Sequence, residues 1–326
     1  MKRISLLSAL LLLISCDQND SDKQDNTDGG DRKQQMRDFV IGISTYSKGI
    51  KPDFYVIPQN GIELVTDNGE SNGNPSTAYL NAIDGNGQED LRYGYDNDDE
   101  ATPVNVTSYL KSYLNISKQS GNTILVTDYC FTHAKMDNSY SANSADSYVS
   151  FAASERDLTV MPDYPVTLHD ENANSITQLS QVKNFMFFID ASNYASKAAY
   201  INAVKGSNYD LIIIDLFFND GSAFTAAEVQ SMKTKANGAA RLVVCYMSIG
   251  EAEDYRYYWQ PGWDSTKPSW LDAENPDWPG NYKVKYWDAE WQKIIYGNDG
   301  SYLKKVLSSN YDGVYLDIID AFEYYE

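Results

Sequence analysis

The sequence predicts an α/β protein of the (β/α)8 type, the TIM barrel, and three observations lead there. Short apolar runs rich in β-branched residues alternate with segments of helical spacing, the pattern of parallel strands joined by crossover helices. About 290 of the 326 residues form one folded stretch, long for a simple domain and ordinary for one barrel. No glycine-rich phosphate loop follows any of the runs, so a nucleotide-binding doubly wound sheet has no motif behind it.

In chain order, residues 36–48 have helical spacing and are stopped by Gly49 and Pro52. The first strand is expected at 54–58, followed by a weaker candidate at 82–87. A helix over 108–119 stops at Gly121, and strands at 124–129, 148–152, 185–189, 211–214 and 242–247 follow. Thr225 and Glu228 have the spacing of a capping box that opens a helix through about residue 236. A helix over 301–308 and a strand at 313–316 complete the series.

The first residues are not read as fold. Lys2 and Arg3 precede an apolar run over 4–14 that is too short to span a bilayer and fits a secretory leader. The run ends in Leu13-Ile14-Ser15-Cys16, which looks like the lipobox where bacterial lipoproteins are cleaved and acylated, so Cys16 is the expected lipidation site. Residues 16–34 are polar and acidic, with too little apolar surface to offset the entropy of ordering, and read as a flexible tether. The expected organisation is a leader over 1–15, the tether over 16–34 and a single barrel domain over 35–326. The expected location is the cell envelope, anchored by lipid in the outer membrane, with either membrane face open and membrane contact through the anchor only.

Composition narrows the function. A net charge of −20 argues against nucleic acid as partner, because phosphate binding needs clustered Lys and Arg, and it suits a cationic substrate. Aromatic residues at 13%, with 26 Tyr, point to carbohydrate, whose C–H faces pack on rings. Cys130 and Cys245 can form one disulfide or remain two buried thiols. His133 and His169 lie in polar, loop-like sequence, which supports neither a zinc site nor a Ser-His-Asp triad, and no residue cluster implies a metal or organic cofactor.

The strand ends carry the chemistry. The run at 211–214 leads into Asp215, the run at 124–129 contains Asp128, Glu251 and Glu253 lie just past the 242–247 strand, and Asp317 ends the last strand. Carboxylates gathered at one mouth repel each other, a cost that a catalytic role explains. Asp84 and Asp320 read as loop or cap residues. All six tryptophans fall between 259 and 291, in a stretch rich in Pro and Asp that reads as a long loop. Most pin that loop; one or two stack on sugar at the cleft rim.

The runs YDLIIIDLFF (209–218), VVCYMSIGEAEDYRYYW (243–259), NYKVKYWDAEWQ (281–292) and DGVYLDIIDAFEYY (312–325) resemble glycoside hydrolase family 114, the endo-α-1,4-polygalactosaminidase family. The resemblance implies a (β/α)8 barrel and retaining chemistry. KPDFYVIPQNG (51–61), AIDGNGQEDLRYG (82–94) and ILVTDYC (124–130) are similar to pieces of the family's second barrel half, yet here they come first. The chain therefore resembles a circular permutant, with family elements from the fourth helix to the eighth at 35–155 and elements one to four at 183–326. A closed barrel tolerates this because its first and last strands are neighbours.

On that resemblance Asp317 is the nucleophile and Glu89 the acid/base, with Asp90 as the alternative beside Glu89. Retention needs the two carboxyls about 5–5.5 Å apart. Asp215, Glu251, Glu253 and Asp128 line subsites where they pair with amino groups of a galactosamine polymer, and Arg256 orients Glu251 or Glu253. Tyr246 and Asn60 are further cleft candidates, and Trp287 is the tryptophan assigned to substrate. The expected partner is a polysaccharide, a cationic amino-sugar polymer. Two competing readings are a non-catalytic carbohydrate-binding lipoprotein and a hydrolase of a different amino-sugar glycan; fold alone decides none of these.

Overall fold

The computed structural model describes residues 30–326. The expected leader, the lipidation site Cys16 and most of the tether lie outside the described residues. Helix α1 (Arg32–Ile50) begins inside the span expected as tether, because the Asp31 side chain accepts from the Gln34 N–H and caps it. Its buried Arg37 bonds the carbonyls of Leu64 and Thr66, fixing the helix against the next segment.

Eight strands are parallel. They are β1 (Tyr55–Pro58), β2 (Gly85–Glu89), β3 (Thr123–Tyr129), β4 (Val149–Ala153), β5 (Phe185–Phe187), β6 (Leu211–Ile214), β7 (Leu242–Ser248) and, after an excursion, β11 (Gly313–Asp317). The excursion holds β8 (Glu251–Glu253), β9 (Leu271–Glu274) and β10 (Asn281–Val284), a small antiparallel sheet where only a loop was expected. Helices α2 (Thr77–Ala82), α3 (Val104–Gln119), α4 (His133–Ala145), α5 (Lys197–Lys205), α6 (Ala226–Met232), α7 (Ala289–Ile295) and α8 (Tyr302–Ser308) lie between strands. The capping box of Thr225 and Glu228 is formed at α6, which ends at Met232, earlier than its spacing suggested.

The fold is mixed α/β with parallel sheets. One sheet has the order β1-β11-β7-β6-β5 and the other β2-β3-β4. The expected closed barrel is not present as one continuous hydrogen-bonded sheet. Instead the two sheets meet at seams. At the first, Gln59 and Gly87 form an isolated parallel bridge and the Asn60 N–H donates to the Gly87 carbonyl at 2.9 Å. At the second, β4 and β5 pack through Phe151 and Phe185, ring centroids 5.7 Å apart, without a ladder. Both seams have short, irregular strand ends, which shortens the ladders that would cross them.

The pairing of β1 with β11 runs from Tyr55↔Gly313 to Pro58↔Leu316, joining the two ends of the described chain. Lys33 and Glu326 form an ion pair beside it. The core is built from runs such as Ile212, Ile213 and Ile214, all fully buried, as parallel strands covered on both faces require. Many tyrosines belong to it: Tyr79, Tyr113, Tyr200, Tyr286, Tyr302, Tyr311 and Tyr315 are buried, so much of the aromatic excess is packing and not sugar contact. Cys130 and Cys245 are free and buried. Among the described residues no helix is long and apolar enough to cross a membrane.

Candidate active site

The C-terminal ends of the parallel strands open onto a cavity of about 1110 Å³. Asp317, Glu89, Asp215, Glu251, Glu253, Tyr246 and Asn60 all line it. Asp128 and Trp287 do not.

Asp317 ends β11, and the next residue, Ile318, takes a left-handed backbone with φ 57°. A β-branched residue there costs about 1–2 kcal/mol, so the surrounding packing holds it. A Cβ on Gly250 would lie 2.2 Å from the Ile318 carbonyl, so only glycine lets the two turns approach. The Ile318 N–H bonds the Asp317 carboxylate, and the Tyr246 hydroxyl donates to its Oδ2 at 2.7 Å.

Glu89 ends β2. Asn60, itself left-handed at φ 58°, stands between them at the end of β1. Its Nδ2 donates to Glu89 Oε2 at 3.0 Å and its Oδ1 accepts from the Glu89 N–H at 3.1 Å, while the Tyr129 hydroxyl donates to Glu89 Oε1. The weak strand signal of β2 has a cause. Gly87 must lack a side chain, because a Cβ would sit 1.9 Å from the Tyr315 hydroxyl that fills the interior below the pair.

Burial, and next the charge of Glu89, push the Asp317 carboxyl up to about 7. Asp90, the alternative to Glu89, is occupied elsewhere: Arg156 grips it with two hydrogen bonds, at 2.9 and 3.2 Å, and lies 3.9 Å over the Tyr129 ring.

Arg256 bridges two of the expected subsite carboxylates. It reaches Asp215 at 2.8 and 2.7 Å and Glu253 at 2.6 and 3.0 Å. One guanidinium shared by two carboxylates leaves the group with a net negative charge, and Arg256 orients Asp215 and Glu253 rather than Glu251. Glu251 is fully buried and accepts from neutral donors, Asn275 Nδ2 at 2.8 Å, Asn281 Nδ2 at 3.3 Å and the Tyr324 hydroxyl at 2.9 Å. Asp320, read from sequence as a cap, also lines the cavity; burial and the charges of Glu323 and Asp317 push its carboxyl well up. The lining residues include two arginines and no lysine, and both arginines are engaged by carboxylates. The cleft is strongly anionic.

Two sequence expectations are corrected. Asp128 is fully buried away from the cavity, where its carboxylate accepts from the Arg92 N–H at 2.7 Å, the Tyr93 N–H at 3.2 Å, Ser139 Oγ at 2.6 Å and Asn143 Nδ2 at 2.9 Å. It locks the β2–α3 connection to α4. Trp287 packs under Arg32 at 3.7 Å and against Tyr286 and Tyr325, pinning the excursion. The cleft tryptophan is Trp278, which the sequence did not single out. Tyr129 and Arg156 were also missed. Tyr129 directly follows Asp128 and, by strand alternation, faces the other way. Arg156 sits in the irregular stretch after β4, where no periodic pattern marks a side chain. The two histidines are stacked on Tyr164 and Tyr140, outside the cavity lining.

Comparison with known proteins agrees on the chemistry class. Residues 166–325 match the model of glycoside-hydrolase family GH114, which supports a glycoside hydrolase. An uncharacterised protein of Methanocaldococcus jannaschii is 41% identical over 157 residues, covering 47% of this chain and 42% of that protein. Uncharacterised proteins of Deinococcus radiodurans and Thermotoga maritima are 44% and 41% identical over 123 and 122 residues. These cover 38% and 37% of this chain, and 37% and 36% of those proteins. The chain spans about two fifths of the length of the curated relatives it matches.

Proposed function

We propose that the protein is a retaining glycoside hydrolase acting on an α-1,4-linked galactosamine-type polysaccharide, with Asp317 as nucleophile and Glu89 as acid/base. One observation carries this: Asp317 and Glu89 end strands on either side of β1, face one anionic cavity and interact electrostatically. The Asp317 carboxylate attacks the anomeric carbon while Glu89 gives its proton to the departing glycosidic oxygen. Water, deprotonated by Glu89, then releases the sugar from Asp317.

The raised Asp317 carboxyl gives the substrate's charge a role. Attack requires the negative charge on Asp317 and the proton on Glu89. An ammonium group bound among the carboxylates near Asp317 favours that distribution, because a neighbouring cation stabilises the ionised form. The excess of carboxylates over engaged arginines supports an amino-sugar polymer over a neutral or uronic one.

The same reading takes the two sheets as one eight-stranded barrel closed at the β1–β2 and β4–β5 seams. Its strands run in family order from β5, so the chain is a circular permutant in which the ends of the family's usual order fall in the stretch between β4 and β5. The adjacency of Lys33 and Glu326 supports this. The leader-like run and Cys16 of the sequence support a location at the cell envelope on a lipid anchor.

The test is incubation of the purified protein with partially deacetylated galactosaminogalactan, reading products by mass spectrometry beside Asp317→Asn and Glu89→Gln. Oligosaccharides from the parent and from neither variant are expected. Binding of the polymer without cleavage by the parent would turn the reading to a carbohydrate-binding lipoprotein.

A further inference from the structure

Five of the six tryptophans are locked into aromatic contacts. Trp259, Trp263, Trp270 and Trp291 form a connected chain of rings with centroids 5.0–5.4 Å apart, and Trp287 packs on Tyr325. Trp278 is different. It is 50% exposed, lines the cavity, and among the described residues its ring meets no other ring and its indole N–H donates to no protein acceptor. A large ring left half in water at the edge of a cleft gains nothing for folding, and its flat face is open to a ligand.

Its position is nonetheless fixed. Trp278 sits in the turn between β9 and β10, closed by hydrogen bonds from the Trp278 N–H to the Asn275 carbonyl and from the Asn281 N–H to the Trp278 carbonyl. The residues flanking that turn, Asn275 and Asn281, both donate their side-chain amides to the buried Glu251 carboxylate. Glu251 therefore fastens both feet of the turn to the cleft wall. A buried charge held by neutral amides is a demanding arrangement, and here it presents one ring at the cavity edge.

We infer that Trp278 is a stacking platform for a sugar unit beyond the cleaved bond, and that Glu251, through Asn275 and Asn281, is its positioning residue. The ligand class is a pyranose ring of the polysaccharide, bound through its C–H face. The inference rests on the hydrolase reading of this same cleft and adds a subsite on the β8–β10 side. It moves Glu251 from direct contact with an amine to support of the platform. Its consequence is a dependence on chain length: short oligomers that occupy only the cleavage point do not reach Trp278, and longer ones do.

The experiment compares a short and a long galactosamine oligomer on the full-length protein, with kinetics on the parent and binding by tryptophan fluorescence in the inactive Asp317→Asn background. Trp278→Ala should raise KM for the long oligomer about tenfold with kcat kept, and leave the short one unchanged. Trp278→Phe keeps a ring, so affinity for the long oligomer should return to near the parent's while the fluorescence change is lost. Asn275→Ala, which frees one foot of the turn, should copy the KM effect of Trp278→Ala on the long oligomer. Equal KM values for the parent and Trp278→Ala on the long oligomer, in a parent that cleaves it, would overturn the subsite and leave the hydrolase intact. Binding with the fluorescence change but no cleavage by the parent would overturn the hydrolase and keep the subsite. A parent that neither binds nor cleaves either oligomer overturns both.

Discussion

Asp128 and Asp317 look alike in sequence, each near the end of a parallel strand after a run of apolar residues, yet one turns away from the cavity and the other into it. Asp128 points outward to Ser139 and Asn143 on α4 and takes four protein donors. Asp317 points into the cavity and keeps room for a ligand. A carboxylate saturated by the protein is a structural clamp. One left short of donors, close to another carboxylate and open to a cleft, holds reactivity that the fold does not consume. The two tryptophans repeat the lesson, Trp287 enclosed by Arg32 and Tyr325 and Trp278 left free at the rim.

The sharpest way to break the comparison is to neutralise each aspartate. Asp317→Asn should lower kcat/KM by about ten-thousandfold, as expected for loss of a nucleophile, with no fall in melting temperature. Asp128→Asn should do the reverse. With its oxygen kept on the Arg92 and Tyr93 N–H groups, its new NH2 would face the Asn143 amide donor, costing about 2–3 kcal/mol in urea unfolding, while activity per folded molecule stays near the parent's. A catalytic loss at Asp128 with unchanged stability would undo the assignment. For the tryptophans, Trp287→Ala should cost about 2–3 kcal/mol and Trp278→Ala less than about 0.5 kcal/mol, read from the same unfolding curves.

Smaller effects come from pH. The Asp317 carboxyl is pushed up to about 7 from an ordinary value of 3.8. Between those values the folded protein holds a proton that the unfolded chain has released. The stability this group supplies is therefore full below about pH 4 and falls as pH rises toward 7. Unfolding midpoints measured across that range should drop less in Asp317→Asn than in the parent. The same shift sets the acid limb of kcat/KM near neutrality. A bound cationic sugar should move the limb of kcat to lower pH, and coincident limbs would count against an ammonium beside Asp317.

Much of the fold was legible because buried parallel strands are continuous apolar runs, and the runs at 211–214, 242–247 and 313–316 fall on β6, β7 and β11. That same continuity hides which side chains face inward. In the run from Ile124 to Asp128 no alternation of polar and apolar residues marks the phase, so Asp128 was assigned to the cleft and Tyr129 was passed over. The β2 strand was faint because its glycines make room for Tyr315 and for the Thr123 carbonyl, a packing demand invisible in one strand's sequence. The antiparallel β8–β10–β9 sheet was read as a loop, since its strands are short and Asp, Pro and Trp fill the segments between them. Which tryptophan is free depends on contacts across that sheet, and spacing along the chain carries none of that information.

The ladder between β1 and β11 has a consequence for how the folded protein, and with it the proposed activity, comes into being. Tyr55 and Gly313 are paired across almost the full described chain, so this contact closes one of the longest loops the molecule contains. Non-local pairing of this kind is slow to form and is reached only when the intervening strands have been made. Until then β1 offers an open edge, and Glu89 and Asp317 belong to separate pieces of structure. Hydrolytic activity should therefore appear late in refolding, after most helical signal has returned, and a chain cut before β11 should carry Glu89 without a partner.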